Sequence, residues 1–566
     1  DVMTARVQKL SADGQRVVAL IAAAGDRVPV GVAATLARAV DPLDELLGAG
    51  LLVEDGPSLA FPHALVRRAI TESTSGVRRS ALHLEVATAL EAAGAPAADL
   101  AFHFGEAAPL GATAKAIHYS IAAAEIALRA FAFEESLAHA TRGLALTSPD
   151  SRHEAQLQLC IGYAHTAAGD QPRASAALGR ARTIAIELRD WLLLADIAIA
   201  RGAGSGQVGV HDAALATELA EAIERLTDAD PIRRASLLAR LAIEENGAGR
   251  LIDARQLATD AVDVARASGD PHALLTSLRA RWIVSDGPAQ LDDRVALARE
   301  LDALAAARGG VSERIYAKGV VVTTAAEVGD IELMDTALAE LGALSSATGM
   351  PWNEWFNLEM RVMRAVIAGD LDEAERLADR ELEIGTAASV ANAWPGYALQ
   401  IVVIRLEQGR AGELADLAVD MVATDGRPGT PVMAAITCLE AGRADDARSL
   451  LENVDLEGLP DDSLRLGTLC TAAQVARALG DGDLAATVDE LLAPYAGRNC
   501  VIALGTISIG PIDRYLSFTA RVCGDHARAE QHLAAAVALD EQMGARRWLE
   551  RDRADLAAIS GSTTRS

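Results

Sequence analysis

Five aromatic side chains offer the clearest binding chemistry in this sequence. Aromatics are only 3% of its 566 residues, yet Trp352, Trp355 and Trp394 fall within 43 residues, with Phe356 and Tyr397 beside them. Trp355 lies 14 residues before Gly369, Trp394 lies 15 before Gly409 and Tyr316 lies 13 before Gly329, so the rings hold equivalent places in successive units. Indole and phenol rings stack on flat ligands and fill apolar pockets. Tyr316, Trp352, Trp355, Trp394 and Tyr397 are therefore candidate effector-binding residues. The same rings would serve equally as wedges that pack one unit against the next, and the sequence leaves both roles open.

Catalytic patterns are missing. A phosphate-cradling loop needs Gly-x4-Gly-Lys-Ser/Thr, so that backbone amides, an ammonium and a hydroxyl converge on phosphate and magnesium. Gly505 and Gly510 have the separation, but Pro511-Ile512 follow, and Lys318 has its glycine, Gly319, on the wrong side. HExxH and GxSxG do not occur. Cys160, Cys438, Cys470, Cys500 and Cys523 show no CxxC or CxH spacing, which argues against a disulfide framework or a zinc site and fits a reducing cytoplasm. His103, His118 and His139 fall in neighbouring helical stretches and read as surface or packing groups. Gly202-Ala203-Gly204-Ser205-Gly206 imitates a dinucleotide fingerprint, but a helical stretch precedes it where a strand is required, so it reads as a loop and a joint. The expectation is a chain that is not an enzyme and holds no metal or cofactor of its own.

The elements that would carry the aromatics repeat. Ala368-Gly369-Asp370-Leu371 reads as a helix end, a tight turn and a new helix, with Gly369 left-handed and Asp370 as the cap. Comparable glycines stand at 169, 209, 249, 287, 329 and 409, at multiples of 40 residues with Gly287 two early, and then at 442, 480 and 524. Two helices per unit at such a period predict an α-solenoid of about eleven hairpins from residue 96 to 558. In 371–385, Leu371, Ala374, Leu377 and Ala378 mark the buried face, with acids and arginines opposite. Stacked hairpins would curve around a long inner groove lined by the helix that bears the aromatics.

Residues 1–95 differ. Ser11 caps an apolar helix ending at Gly25; helical stretches follow from Val30 and from Asp41-Pro42; Leu51–Glu54 and Ser58–Phe61 read as two strands around Asp55-Gly56-Pro57. Three helices and a hairpin predict a winged helix. The expected fold is thus all-α, an N-terminal winged helix with a small β-hairpin followed by a tetratricopeptide-like superhelix, with residues 559–566 as a disordered tail.

Charge limits the partners. The formal net charge is -27, and residues 1–95 hold 9 Lys+Arg against 11 Asp+Glu, so nearly all the excess lies in the repeats. Such a surface repels a phosphate backbone. The third helix, with Asp41, Asp44 and Glu45 and no basic residue, is equally unsuited to DNA. No apolar run is long enough to span a membrane. Arg67, Arg68, Arg78 and Arg79 form the one basic cluster near the hairpin, expected to be a solvated face paired with Glu72 and Glu85.

Two stretches carry a family resemblance. "LDELLGAGLLVEDGPSLAFPHALVRRAITESTSGVRRSALHLEVATALE" (43–91), with "LAFHFGEA" (100–107), resembles the segment after the nucleotide-binding domain in large ATP-binding LuxR-type regulators, members of the STAND class of signalling ATPases, and in related proteins with a cyclase domain. "YAGRNCVIALGTISIGPIDRYLSFTARV" and its continuation to 557 is similar to their last repeats. The resemblance implies that His63, in Phe61-Pro62-His63-Ala64, occupies the place of a histidine that touches the β-phosphate of ADP, although Pro62 and Ala64 depart from the usual Met-His-Asp. It implies an ATPase domain upstream, with ATP or ADP and Mg, and DNA binding only through a domain not present here. The implied role is the sensor and regulatory part of an ATP-dependent transcriptional regulator, cytoplasmic, binding a small inducer or protein partner on the repeats, with effector-driven oligomerisation. The alternatives are a regulatory module of a nucleotide cyclase or kinase, or a stand-alone protein-binding scaffold.

Overall fold

The computed structural model describes residues 6–72, 74–202, 211–226 and 230–563. The glycine-rich run 203–206, the turn glycine at 209 and the end of the tail lie outside them. The chain divides into two compact units, Asp1–Arg201 and Gly202–Ser566.

The first unit begins with α1 (Ala12–Ala24), β1 (Arg27–Pro29), α2 (Val30–Ala37), α3 (Asp41–Gly48), β2 (Val53–Asp55) and β3 (Ser58–Ala60). The Ser11 hydroxyl accepts the Gly14 amide at 2.9 Å and caps α1. Its own N–H reaches Glu45 on α3 at 2.7 Å, which locks the two helices. The strands form an antiparallel sheet in the order β1-β3-β2, with Leu59 opposite both Val28 and Glu54. Leu51 and Leu52, expected in the first strand, instead bury into the core with Val17, Leu20, Ile21, Leu46 and Val86. β1 has no forerunner in the sequence reading, because three residues cannot show a period of two. Then come α4 (Ala64–Glu72) and α5 (Gly76–Ala92), followed by α6 (Ala97–Glu106), α7 (Thr113–Arg129), α8 (Phe133–Leu144), α9 (Arg152–Ala167), α10 (Gln171–Glu187) and α11 (Trp191–Gly202).

The second unit continues with α12 (Ala213–Arg225), α13 (Pro231–Gly247), α14 (Leu251–Ser268), α15 (Pro271–Val284), α16 (Leu291–Arg308), α17 (Val311–Val328), α18 (Ile331–Thr348), α19 (Pro351–Ala368), α20 (Leu371–Ala387) and α21 (Ala393–Gln408). It is completed by α22 (Ala415–Val422), α23 (Thr430–Glu440), α24 (Ala444–Leu451), α25 (Arg465–Leu479), α26 (Gly482–Leu492), β4 (Asn499–Ile502), β5 (Ile507–Pro511), α27 (Ile512–Val522), α28 (His526–Met543) and α29 (Arg546–Thr563). These are helical hairpins of tetratricopeptide kind. The turn glycines 169, 249, 329, 369, 409, 442, 480 and 524 all take φ between 65° and 82°, the left-handed value that ends a helix without a Cβ clash. Asp370 accepts the Glu373 amide at 3.2 Å, and Asp330, Asp481 and Asp525 cap their helices in the same way. Leu371, Ala374, Leu377 and Ala378 are buried as the pattern requires. Helix α29 runs past residue 558 to Thr563.

Two features of the second unit depart from the sequence reading. The fold is not all-α apart from a hairpin near the N-terminus, because β4 and β5 form a second antiparallel hairpin, fully buried, where a further repeat was expected. Nor do its helices enclose an open groove. Asn499 Nδ2 donates to the Ala326 carbonyl at 2.8 Å, Arg498 to that of Pro288 at 2.7 Å, Gln542 to that of Gly329 at 3.0 Å, and Arg551 pairs with Glu407 at 3.1 Å. The hairpins wind until sequence-distant ones meet, and β4–β5 fills the space between α17, α19, α21, α25 and α27. Its β-branched residues Val501, Ile502, Ile507 and Ile509 fill the core on both faces.

Candidate functional site

A cavity of about 370 Å³ lies inside the second unit, within the size range of small-molecule sites. Helix α21 forms one wall through Leu399 and Val402, α22 and α23 another through Met421 and Met433, and the turn of β4–β5 contributes Ile502, Ala503 and Thr506. That turn is held in a sparsely populated conformation. Ala503 and Leu504 have φ of 53° and 56°, which costs about 1 kcal/mol or more per residue. It persists because Thr323 donates to the Leu504 carbonyl at 3.1 Å and Ala503 N–H donates to Ser463 at 3.1 Å.

One end of the cavity is acidic. Asp286, 3% exposed, follows α15, and Asp462 lies in the loop before α25. Asp286 Oδ2 accepts the Ser463 amide at 3.4 Å, whereas Oδ1 has no hydrogen-bond partner. Burial pushes the Asp286 carboxyl up to about 6, and the charge of Asp462 adds to the push. Arg294, itself buried, fixes the loop by donating to the carbonyls of Ser285 at 2.8 Å and Gly287 at 2.6 Å. Gly287 comes two residues early in the 40-residue period, and a Cβ there would meet the Asp461 carbonyl at 2.5 Å, so the close approach of the Asp461 backbone requires glycine. Arg255 seals the same contact through the Asp461 carbonyl at 2.8 Å.

A second polar group lies beneath Thr506. Its hydroxyl donates to Glu359 Oε1 of α19 at 2.9 Å, and Gln400 of α21 donates to Glu381 Oε2 of α20 at 2.8 Å. Both glutamates are buried. Burial raises Glu359 to about 7 and lifts Glu381 well above its usual range, with Glu359 adding to the latter. Glu381 was expected on a solvated face; it turns inward because Gln400 satisfies one of its oxygens.

The five aromatic candidates separate into two groups. Tyr316 stacks on Phe356 with centroids 6.1 Å apart, Phe356 stacks on Trp352 at 5.2 Å, and Trp355 lies 6.2 Å from Trp352. Trp355 is 2% exposed, and Arg279 sits 4.2 Å over the Tyr316 ring. Trp394 and Tyr397 pair on α21 at 5.9 Å, with Trp394 54% exposed and the Tyr397 hydroxyl donating to Asp379 at 2.9 Å. The cavity wall contains none of the five, but Leu504, the tip of β4–β5, packs into the cluster that includes Tyr316. In the first unit His63 is exposed just before α4, and its carbonyl accepts the Val66 amide at 2.9 Å. Arg68 pairs with Glu72 at 2.6 Å as expected, whereas Arg67 pairs with Asp26 at 2.5 Å and Glu85 with Arg16.

Sequence reasoning missed the cavity, whose residues come from segments 246 to 506, and it missed His83, whose Nδ1 lies 2.8 Å from Nδ1 of His103 in a buried pair. The strands β4 and β5 were findable: two β-branched runs flank Ala503-Leu504-Gly505. Among the described residues no three His, Cys, Asp or Glu side chains converge as metal ligands, and no helix is long and apolar enough to cross a membrane.

No protein-family model matches the chain, and no curated protein matches it. Among solved structures it is similar to a Signal Transduction ATPase with Numerous Domains (STAND) protein with a tetratricopeptide repeat sensor from Pyrococcus horikoshii, at 13% identity and TM-score 0.34. That match covers 69% of this chain and 65% of the other, which is less than two thirds of its length. The Cut9-Hcn1 hetero-tetramer of the APC/C gives 13% identity over 86% and 94% of the two chains with TM-score 0.42, and yeast Tom70 gives 12% over 87% and 100% with TM-score 0.28. The helical-hairpin assignment stands on this chain's own helices and turns.

Proposed function

We propose that this chain is the sensor and regulatory part of an ATP-dependent, LuxR-like regulator of the STAND class, acting in the cytoplasm. The observation that carries the reading is the cavity of the second unit, because its wall includes the strained turn of a hairpin bonded to helices more than 170 residues away in sequence. An occupant there bears on α17, α19 and the Tyr316 cluster at once, and the aromatic residues Tyr316, Trp352 and Trp355 register the change. The three helices and three strands of residues 12–60 suit a winged helix, which is the support for carrying over the resemblance of residues 43–107. In this role the winged helix relays occupancy to an ATPase domain outside this chain that holds ATP or ADP with Mg, and His63, exposed at the start of α4, contacts the ADP phosphate. Relief of that contact permits assembly, and DNA is reached only through a further domain.

A second reading has one observation in its favour. Trp394 stands exposed beside Tyr397 on α21, which suits a protein partner and a scaffold or cyclase-coupled role. Dissociation of fluorescent ADP from the product of the whole reading frame tests the first. His63→Ala should speed it at least about tenfold, the worth of one charge-assisted hydrogen bond. Unchanged dissociation would remove His63 from the switch.

A further inference from the structure

The cavity has apolar walls and one acidic end, and that end holds an acceptor with nothing to accept from. Leu399, Val402, Met421 and Met433 supply the walls. The two arginines on the wall are engaged, Arg427 with Asp425 at 2.9 Å and Arg465 with the Leu459 carbonyl. Arg255 is taken by Asp461 and Arg294 by Glu327, so the charges around Asp286 are satisfied among themselves while Asp286 Oδ1 is not. A buried carboxylate oxygen left unpaired is stabilised once a cation donates to it.

Taking the cavity as the effector site, we infer that its ligand is a small amphiphile with an apolar body and a protonated amine, the amine seated between Asp286 and Asp462. An ammonium carries three donors, enough for the carboxylates of Asp286 and Asp462 together. Two carboxylates without a third ligand make a poor cage for a metal ion, whereas an alkylammonium asks for no more. Its body of six to ten carbons fits a volume of about 370 Å³ against the methionines, which adapt to irregular shapes. Burial raises both Asp286 and Asp462, and a cation seated between them would favour the ionised form of each. An anionic amphiphile would meet both carboxylates and be repelled.

Isothermal titration of the whole chain at pH 7.5 with octylammonium, octanol and octanoate, each below its aggregation threshold, tests this. Octylammonium should bind at least tenfold more tightly than octanol, and octanoate more weakly than either. Asp286→Asn should bring octylammonium to within threefold of octanol while leaving octanol unchanged, and Asp462→Asn should act in the same direction. Should either variant misfold by circular dichroism, the ranking of the three probes on the native chain still decides. Octanol binding as tightly as octylammonium would overturn the amine assignment and leave the cavity as a ligand site. Failure of all three to bind would overturn both.

Discussion

Glu359→Gln should stabilise the second unit at alkaline pH and do nothing at acid pH. In the native chain burial holds the Glu359 carboxyl at about 7 instead of 4.5. Between those values the folded protein keeps a proton that the unfolded chain has lost, so stability falls as pH rises through the window. That difference amounts to about 3 kcal/mol by pH 8 and vanishes below pH 4.5. Glutamine does not titrate, and its Oε1 still accepts the Thr506 hydroxyl that bonds Glu359 at 2.9 Å. Losing the charge of Glu359 also eases Glu381, whose own carboxyl it pushes upward, so the gain adds in the same direction. Urea unfolding followed by tryptophan fluorescence reads the effect, with a midpoint shift of about 1 M at pH 8 for a slope near 3 kcal/mol/M, shrinking to nothing at pH 4.5. Equal midpoints at pH 8, or an offset that is constant with pH, would refute the claim that burial raises the Glu359 carboxyl to about 7.

The first unit should respond to pH with the opposite sign. Burial, with His83 next, lowers His103 to about 4, so the unfolded chain takes up a proton below 6.5 that the folded one refuses, and about 3 kcal/mol is lost by pH 4. Amide exchange in α5 and α6, corrected for intrinsic rates, should accelerate over that interval, and His103→Leu should flatten the acceleration. Trp355→Ala should cost about 3–5 kcal/mol by the same urea assay because its ring is core, whereas Trp394→Ala, on an exposed ring, should stay within about 0.5 kcal/mol. Equal costs would mean that the two rings do not differ in burial.

Local chemistry made the hairpins legible. Turn glycines with capping aspartates recur at near-constant spacing, and each unit's buried face follows from a period of 3.6, because both depend only on residues within one or two turns of helix. The three helices and the β2–β3 hairpin of residues 12–60 were readable for the same reason, since Ser11, Asp41-Pro42 and Asp55-Gly56 act on their immediate neighbours. The aromatic spacing was legible too, but not its consequence: equivalent positions in successive units became one stacked cluster around Tyr316, Phe356 and Trp352 and a separate exposed pair on α21.

What the tertiary structure alone decided is how far the winding closes. The β4–β5 hairpin inside the second unit and the meeting of the Asp286 and Asp462 segments rest on contacts between residues 147 to 181 apart in sequence. Such contacts are set by the sum of many small rotations between neighbouring hairpins, which no single turn records. A one-dimensional pattern fixes which face of each helix is buried, but the space left when the faces close on one another, with Asp286 and Asp462 at its edge, exists only in three dimensions.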